Sequence, residues 1–197
     1  YVRPMNVTVI GSGVSGLTTA IELCDEGHDV SIVTAAMPHD AVSVVAGAIW
    51  GPTTAEPRDR TGPWALASRE RFVEIAHDES SGVAPMIHVD LRSDDEPHWG
   101  EATPWVTRLD PAEVPAGYVA ALRIDGFRID PPIYLTWLLD ELDRRGGTIS
   151  IENVGNIADV GGDAVVNCSG LGARELVGDD TMYPIRGQMV LVGNNGG

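Results

Sequence analysis

The chain has 197 residues, of which 43% are hydrophobic and 21% charged, a composition typical of a globular protein with one substantial domain or two small ones. Its formal net charge of −16 repels the phosphates of nucleic acids and of anionic membranes, which argues against a partner of either kind. No apolar run approaches the roughly 18 residues that a membrane-spanning helix requires.

The compartment is inferred from the N-terminal sequence and from the two cysteines. The first residues show no charged region followed by an apolar one, so no secretory signal is predicted. Cys24 falls in a predicted helix and Cys168 at the end of a predicted strand, and both are predicted to be free buried thiols. This pattern indicates neither a disulfide framework nor a metal cluster, and it favours the reducing cytoplasm.

The first elements in chain order follow a strand-helix-strand pattern. Residues 6–10, "NVTVI", are predicted to form a short buried strand, and residues 29–33, "DVSIV", a second one. Between them, apolar residues recur at helical spacing from Val14 to Glu26, and Gly27 is predicted to end that helix. Such a unit places the two strands parallel with a right-handed crossover.

The remaining elements are assigned from the same patterns. We predict an ordered functional connection at 37–63, a helix at 64–80, a strand at 82–93, a proline-rich acidic surface excursion at 94–117, a strand at 117–130, a helix at 131–147, and strands at 148–154, 163–170 and 188–192. The predicted fold class is α/β, a Rossmann-type layer with a partial β-rich substrate-domain layer, the latter at roughly 81–130.

A glycine motif joins the first strand to the first helix. Gly11, Gly13 and Gly16 have the G-x-G-x-x-G spacing of dinucleotide-binding loops. The first glycine permits the tight turn, the second lets a pyrophosphate approach the backbone, and the third lets the helix pack closely on the sheet. The N–H groups at the helix start then face the anion, so the sequence predicts a dinucleotide site.

The expected acidic residue after the second strand is missing. A carboxylate about 20 residues past the glycines commonly accepts the ribose hydroxyls, yet that position here holds Ala35 and Ala36. Thr34 could supply a hydroxyl and Asp40 lies nearby, but neither is in the usual register. No arginine is present here for a 2′-phosphate, so specificity for NADP gains no support.

Four further segments carry a resemblance to a known family. Residues 43–52 read "SVVAGAIWGP", residues 126–142 read "GFRIDPPIYLTWLLDEL", residues 165–180 read "VVNCSGLGARELVGDD", and "PIRGQMVLV" follows them. In order and spacing, from about Val7 to Val192, they resemble the D-amino-acid oxidase family of FAD-dependent enzymes, with the actinobacterial members closest. The resemblance implies FAD as the cofactor and assigns the whole chain to the FAD-binding domain of that family.

The resemblance also implies which residues hold FAD. The loop Gly11, Ser12, Gly13, Val14, Ser15 and Gly16 falls at the pyrophosphate; Ala41, Val42 and Ser43 near the phosphates and ribityl chain; Gly47, Ala48 and Ile49 along the isoalloxazine ring; Val154 at the adenine; and Ser169 and Gly170 at the strand end that closes over the cofactor. Only Ser43 keeps a hydroxyl where the family often has several. Trp50 is predicted to be a core residue. No catalytic side chain is assigned, and no metal ligand, because the five histidines lack ligand spacing.

The activity implied by the resemblance is the oxidative deamination of D-amino acids. The substrate's α-hydrogen would pass as hydride to flavin N5, and dioxygen would reoxidise the flavin, giving a 2-oxo acid, ammonia and hydrogen peroxide. In the family, the arginine that binds the substrate carboxylate lies in a C-terminal part with no counterpart here. We therefore expect the N-terminal portion of such an enzyme, with a homodimer or a second chain supplying the remainder. The alternatives are a nicotinamide-dependent Rossmann dehydrogenase and a non-catalytic dinucleotide-binding fragment.

Overall fold

The computed structural model describes residues 3–46, 49–51, 57–96, 103–184 and 187. The chain divides into two compact units, one formed by Tyr1–Gly47 with Pro131–Gly197 and the other by Ala48–Asp130. The predicted strand at 188–192 lies outside the described residues.

Seven strands and four helices make up the described part. The strands are β1 (Asn6–Ile10), β2 (Asp29–Thr34), β3 (Val83–Arg92), β4 (Val106–Arg108), β5 (Ala120–Ile129), β6 (Thr148–Ile151) and β7 (Ala164–Asn167). The helices are α1 (Val14–Asp25), α2 (Arg58–Ile75), α3 (Pro131–Arg144) and α4 (Ala173–Val177).

The first unit contains a four-stranded parallel sheet in the order β6-β2-β1-β7. β1 lies inside the sheet, and Val7, Val9 and Ile32 on β1 and β2 are at most 2% exposed. The strands can be continuous apolar runs because a parallel sheet is covered on both faces. These strands confirm the sequence prediction of a Rossmann-type layer.

Helices α1 and α3 pack against each other in this unit, and α1 also contacts β1 and β2. Each buries a stripe at helical spacing, which in α3 comprises Tyr134, Leu135, Leu138 and Leu142. Arg145, just past α3, donates from Nε to Asp25 Oδ1 of α1 at 2.7 Å. The predicted helices are therefore confirmed, although α3 ends at Arg144, before Gly146 with its φ of +78°.

The second unit is built on an antiparallel sheet in the order β3-β5-β4. β3 pairs with β5 along its whole length, from Val83 opposite Ile129 to Arg92 opposite Ala120. Trp50, Phe72 and Phe127 form an aromatic cluster with ring centroids 5.8 to 6.3 Å apart. The half-buried Trp50 ring packs edge-on against both phenylalanines, as expected for a core residue.

Two predictions in the second unit are wrong. Helix α2 spans 58–75 rather than 64–80. It begins earlier because Pro63 lies inside the helix, where it costs a backbone hydrogen bond without ending it. It ends earlier because a separate 3₁₀ turn, Glu79–Ser81, follows, with Asp78 as its N-cap. The predicted surface excursion contains strand β4, whose Val106 packs with Leu122 and Ile124. A three-residue strand is too short to show alternation, so only its pairing with β5 reveals it.

Both cysteines are free thiols, as predicted, but each is half-buried rather than buried. Desolvation is the main cause that raises the pKa of the Cys24 thiol and of the Cys168 thiol, while the Thr19 hydroxyl beside Cys168 partly opposes it. None of the helices in the described ranges combines the length and apolar character needed to cross a membrane.

Candidate cofactor-binding site

The candidate site lies where the parallel strands of the first unit end. β1 continues through α1 to β2 on one side, while β7 pairs with β1 on the other side, so the strand order reverses at β1. In open α/β sheets, ligands bind at the carboxyl ends of the strands beside such a reversal. The loop that begins at Gly11 and the segment that begins at Cys168 both leave the sheet at this edge.

Gly11 and Gly16 are required by the packing of the chain itself. Gly11 has a φ of +101°, and a Cβ there would lie 2.5 Å from the carbonyl oxygen of Cys168. A Cβ on Gly16 would overlap the carbonyl oxygen of Gly11 and lie 2.8 Å from its carbonyl carbon. Both contacts are with backbone atoms, which cannot rotate away. The absence of a Cβ at these two glycines therefore allows the loop, α1 and the segment after β7 to pack closely together.

Gly13 differs from its two neighbours in the motif. A Cβ on Gly13 would meet, among described residues, only the Ser43 hydroxyl, at 3.0 Å. The packing of the described chain therefore gives little reason for glycine at this position. A space beside bare backbone at a strand-to-helix turn fits the pyrophosphate of a dinucleotide.

The start of α1 is suited to an anion. Gly13 has extended backbone and accepts the first helical hydrogen bond, from the Leu17 N–H at 3.0 Å. The N–H groups of the first turn have no acceptor within the helix, and the helix dipole adds partial positive charge there. The first turn of α1, which is described completely, contains no acidic residue to oppose a phosphate.

The hydroxyl of Ser43 lies beside this helix start. The Val14 N–H donates to Ser43 Oγ at 3.2 Å, which places the 3₁₀ turn Val42–Val45 next to the glycine loop. Ala41 is half-buried, and the Val42 side chain is 78% exposed. Of the three predicted residues 41–43, Ser43 is therefore the one whose side chain contacts the glycine loop.

Ser12 and Thr34 form a buried hydroxyl pair under the loop. Ser12 Oγ donates to the carbonyl oxygen of Ala36 at 2.9 Å, and Thr34 Oγ1 donates to the same oxygen at 2.8 Å. The two hydroxyl oxygens are 3.0 Å apart, and both residues are below 7% exposed. Ser12 therefore has only its backbone groups to offer a cofactor, and the Thr34 hydroxyl does not replace the missing carboxylate.

We predict that Thr34→Val destabilises the protein by roughly 1–2 kcal/mol, because the near-isosteric side chain removes the buried hydrogen bond to the Ala36 carbonyl and places a methyl group against the Ser12 hydroxyl. Equilibrium unfolding in urea measures the change. Thr136→Val is the control, since that hydroxyl bonds a carbonyl of its own exposed helix surface. Equal stability of the Thr34 variant and the parent would contradict the structural role of the pair.

The segment after β7 meets the loop from the other side. The Cys168 N–H donates to the Ile10 carbonyl at 2.8 Å, continuing the pairing of β7 with β1. The Ser169 hydroxyl donates to Asn167 Oδ1 at 2.6 Å, and Gly170 has a φ of +58°. Ser169 and Gly170 thus lie beside the glycine loop, at the same edge of the sheet.

Val154 lies further along the same sheet edge, past the end of β6. It is half-buried and lines a cavity of about 540 Å³. The other residues around that cavity are Thr8, Val33, and members of the segment 152–161 that connects β6 towards β7. This cavity includes a carboxylate, Glu152, that the sequence patterns did not single out.

Three further predicted site residues are not among the described residues of the first unit. Gly47 and Ala48 lie outside the described residues. Ile49 belongs to the second unit, where it forms an isolated antiparallel bridge with Arg128 and is 57% exposed. In the first unit, the described candidates are the glycine loop, Ala41, Val42, Ser43, Ser169, Gly170 and, beside the cavity, Val154.

Comparison with known proteins finds relatives that share much of this sequence. The chain is 38% identical over 193 residues to a D-amino-acid oxidase of Rubrobacter xylanophilus, covering 95% of this chain and 59% of the relative. It is 37% identical over 199 residues to a D-amino-acid oxidase of Streptomyces coelicolor, covering 98% and 61%. The chain thus spans about three-fifths of the length of these curated relatives.

The fold is shared with solved structures at lower identity. L-proline dehydrogenase from P. horikoshii superposes with a TM-score of 0.70 at 17% identity, covering 92% of this chain and 56% of that one. This likeness concerns the fold alone.

Residues 6–197 match the family described as FAD dependent oxidoreductase. The cofactor that this match indicates is FAD, and the chain belongs to the FAD-dependent oxidoreductase family.

Proposed function

We propose that the protein oxidises D-amino acids with FAD and dioxygen, giving 2-oxo acids, ammonia and hydrogen peroxide. The observation that carries this proposal is the space at Gly13, at the carboxyl edge of a parallel sheet, in a chain 37–38% identical to two D-amino-acid oxidases. Bound FAD would supply the two-electron chemistry of the substrate oxidation, and dioxygen would reoxidise the flavin.

The contribution of this chain's own residues is to hold and orient the cofactor. In the proposed arrangement, backbone N–H groups of the loop from Gly11 to Gly16 bind the pyrophosphate, helped by the dipole of α1. The N–H groups of Gly11 and Val14 are not counted among them, because they donate to the Val33 carbonyl and the Ser43 hydroxyl. The Ser43 hydroxyl contacts a phosphate, the Val154 backbone frames the adenine, and Ser169 with Gly170 closes the site beside β1. Gly47, Ala48 and Ile49 are proposed to run along the flavin ring, where small side chains allow close backbone approach.

No general base is assigned in this proposal. A substrate whose amine is already neutral needs no side chain to remove a proton before oxidation. We assign the substrate carboxylate to no residue of the chain, and the preference among D-amino acids is left to measurement.

The test uses the full-length protein, purified and reconstituted with FAD. We expect a flavin absorbance spectrum and release of peroxide with D-alanine, whereas L-alanine, the matched control, should give none. Flavin binding without peroxide for any of a panel of D-amino acids would contradict the activity but leave the cofactor assignment standing. Binding of NADH without any binding of FAD would instead favour a nicotinamide-dependent dehydrogenase.

A further inference from the structure

The missing ribose acid has a candidate replacement on the neighbouring strand. β2 and β6 pair in parallel with Ser31 opposite Thr148 and Thr34 opposite Ile151. The Glu152 N–H donates to the Thr34 carbonyl at 2.8 Å, so the pairing continues one residue past β6. The same register, continued by one residue, places Glu152 next to Ala35.

The groups around Ala35 leave the ribose without another acceptor of the usual kind. The hydroxyls of Ser12 and Thr34 are already bonded to the Ala36 carbonyl. Asp40 lies against His39, with Oδ2 3.3 Å from Nε2, in the turn Pro38–Asp40 beyond the strand end. Among the described residues, Glu152, in the segment that follows β6, therefore offers a carboxylate in register with Ala35.

The surroundings of Glu152 fit an adenosine ligand. Glu152 is exposed, and it lines the cavity of about 540 Å³ that also includes Val154 two residues on. Among the described residues, its carboxylate takes part in none of the ion pairs. A carboxylate accepts hydrogen bonds from both hydroxyls of a ribose, and glutamate is one of the two residues that commonly do so after the second strand of a dinucleotide-binding unit.

We propose that Glu152 binds the hydroxyls of the adenosine ribose and so takes over the task of the acidic residue replaced by Ala35. The acceptor has moved from β2 to the adjacent strand of the same sheet, where the parallel register keeps it at the same edge. The proposal rests on the proposed function in one respect, because it assumes that the adenosine end of FAD lies at the carboxyl ends of β2 and β6.

The experiment measures ribose recognition by binding rather than by turnover. The protein without flavin is titrated with ADP and with 2′,3′-dideoxy-ADP, which lacks both ribose hydroxyls, and each dissociation constant is determined calorimetrically. For the parent we expect about tenfold to a hundredfold tighter binding of ADP, the range for charge-assisted hydrogen bonds. In Glu152→Ala, this preference should largely disappear, with little change in the affinity for the dideoxy compound.

Two further variants make the assignment specific. Asp159→Asn removes the charge of another acidic residue that lines the same cavity, and it should keep the preference of the parent. Ala35→Asp combined with Glu152→Ala returns the acid to the end of β2, and this double variant should regain a preference for ADP. Such a rescue shows that the preference for ADP depends on a carboxylate at this register position, while the Asp159 variant tests a general effect of negative charge at the cavity.

The outcomes that overturn the proposal are distinct from those that overturn the function. If Glu152→Ala keeps the preference for ADP over dideoxy-ADP, or if Asp159→Asn loses it instead, Glu152 does not bind the ribose. Equal affinity of the parent for the two nucleotides leads to the same conclusion, that Glu152 does not bind the ribose. A parent that binds FAD and ADP but produces no peroxide contradicts only the proposed activity, whereas failure to bind FAD and ADP contradicts both.

Discussion

Gly13→Ala should fold as the parent does and lose most of its affinity for FAD. The new methyl group meets, among described residues, only the half-buried Ser43 hydroxyl, a side-chain atom that can rotate away. The same methyl group enters the space in which the pyrophosphate would lie against bare backbone. An overlap of this kind weakens binding by roughly tenfold to a hundredfold, and Gly13→Val should abolish flavin retention.

The measurement is a titration of flavin-free protein with FAD, followed by flavin fluorescence, together with thermal unfolding of the same samples. Ser43→Ala is measured alone and together with Gly13→Ala, because it removes both the 3.0 Å contact and the proposed phosphate contact. If Gly13→Ala lowers the affinity for FAD by the same factor in the Ser43→Ala background as in the parent, the loss is caused by the methyl group in the ligand space. Parent-like flavin content in Gly13→Val would disprove the assignment of the loop.

Gly16→Ala should show the opposite pattern, with the fold itself lost or severely destabilised. The added Cβ overlaps the carbonyl of Gly11. That carbonyl belongs to a turn that is held in place because the Gly11 N–H donates to the Val33 carbonyl at 2.8 Å. Relief requires α1 to move away from the loop, and we expect a destabilisation of at least about 3 kcal/mol, near the upper end of overpacking effects.

Circular dichroism during chemical unfolding, without added flavin, measures this effect independently of any ligand. Ala20→Gly is a matched control on the same helix, since it removes a methyl group and should cost only about 1 kcal/mol from propensity plus a small cavity. A Gly16→Ala protein as stable as the parent would mean that the close packing of α1 on the loop is not needed for folding.

The parts of the fold that sequence patterns predict are those fixed by local chemistry. The buried strands of the first unit, the helical stripe of α3 and the turn at Gly11 each follow from residues close together in the chain. β4 escaped prediction because its three residues become a strand only through β5. The start of α2 was misplaced because the Gly62–Pro63 pair resembles a stop signal but lies within the helix.

The candidate site shows the same division. The motif spacing predicts three special glycines but does not distinguish Gly16, whose Cβ would overlap a backbone carbonyl, from Gly13, whose Cβ would meet only the Ser43 hydroxyl among the described residues. The sequence also predicts that an acid is missing at Ala35, whereas the replacement at Glu152 depends on the register of two strands far apart in the chain. Register between distant strands is set by packing, which no local pattern contains.

The pairing of β1 with β7 has a consequence for how the protein is made. Asn6 and Asp163, which share a hydrogen bond at the amino ends of these strands, are separated by 157 positions. During synthesis on the ribosome, the glycine turn therefore emerges long before β7, the strand that packs against it. The turn cannot reach its final packing until Cys168 and Ser169 have been synthesised. Contacts this distant in sequence slow folding, so cofactor capture belongs to a late stage of biosynthesis.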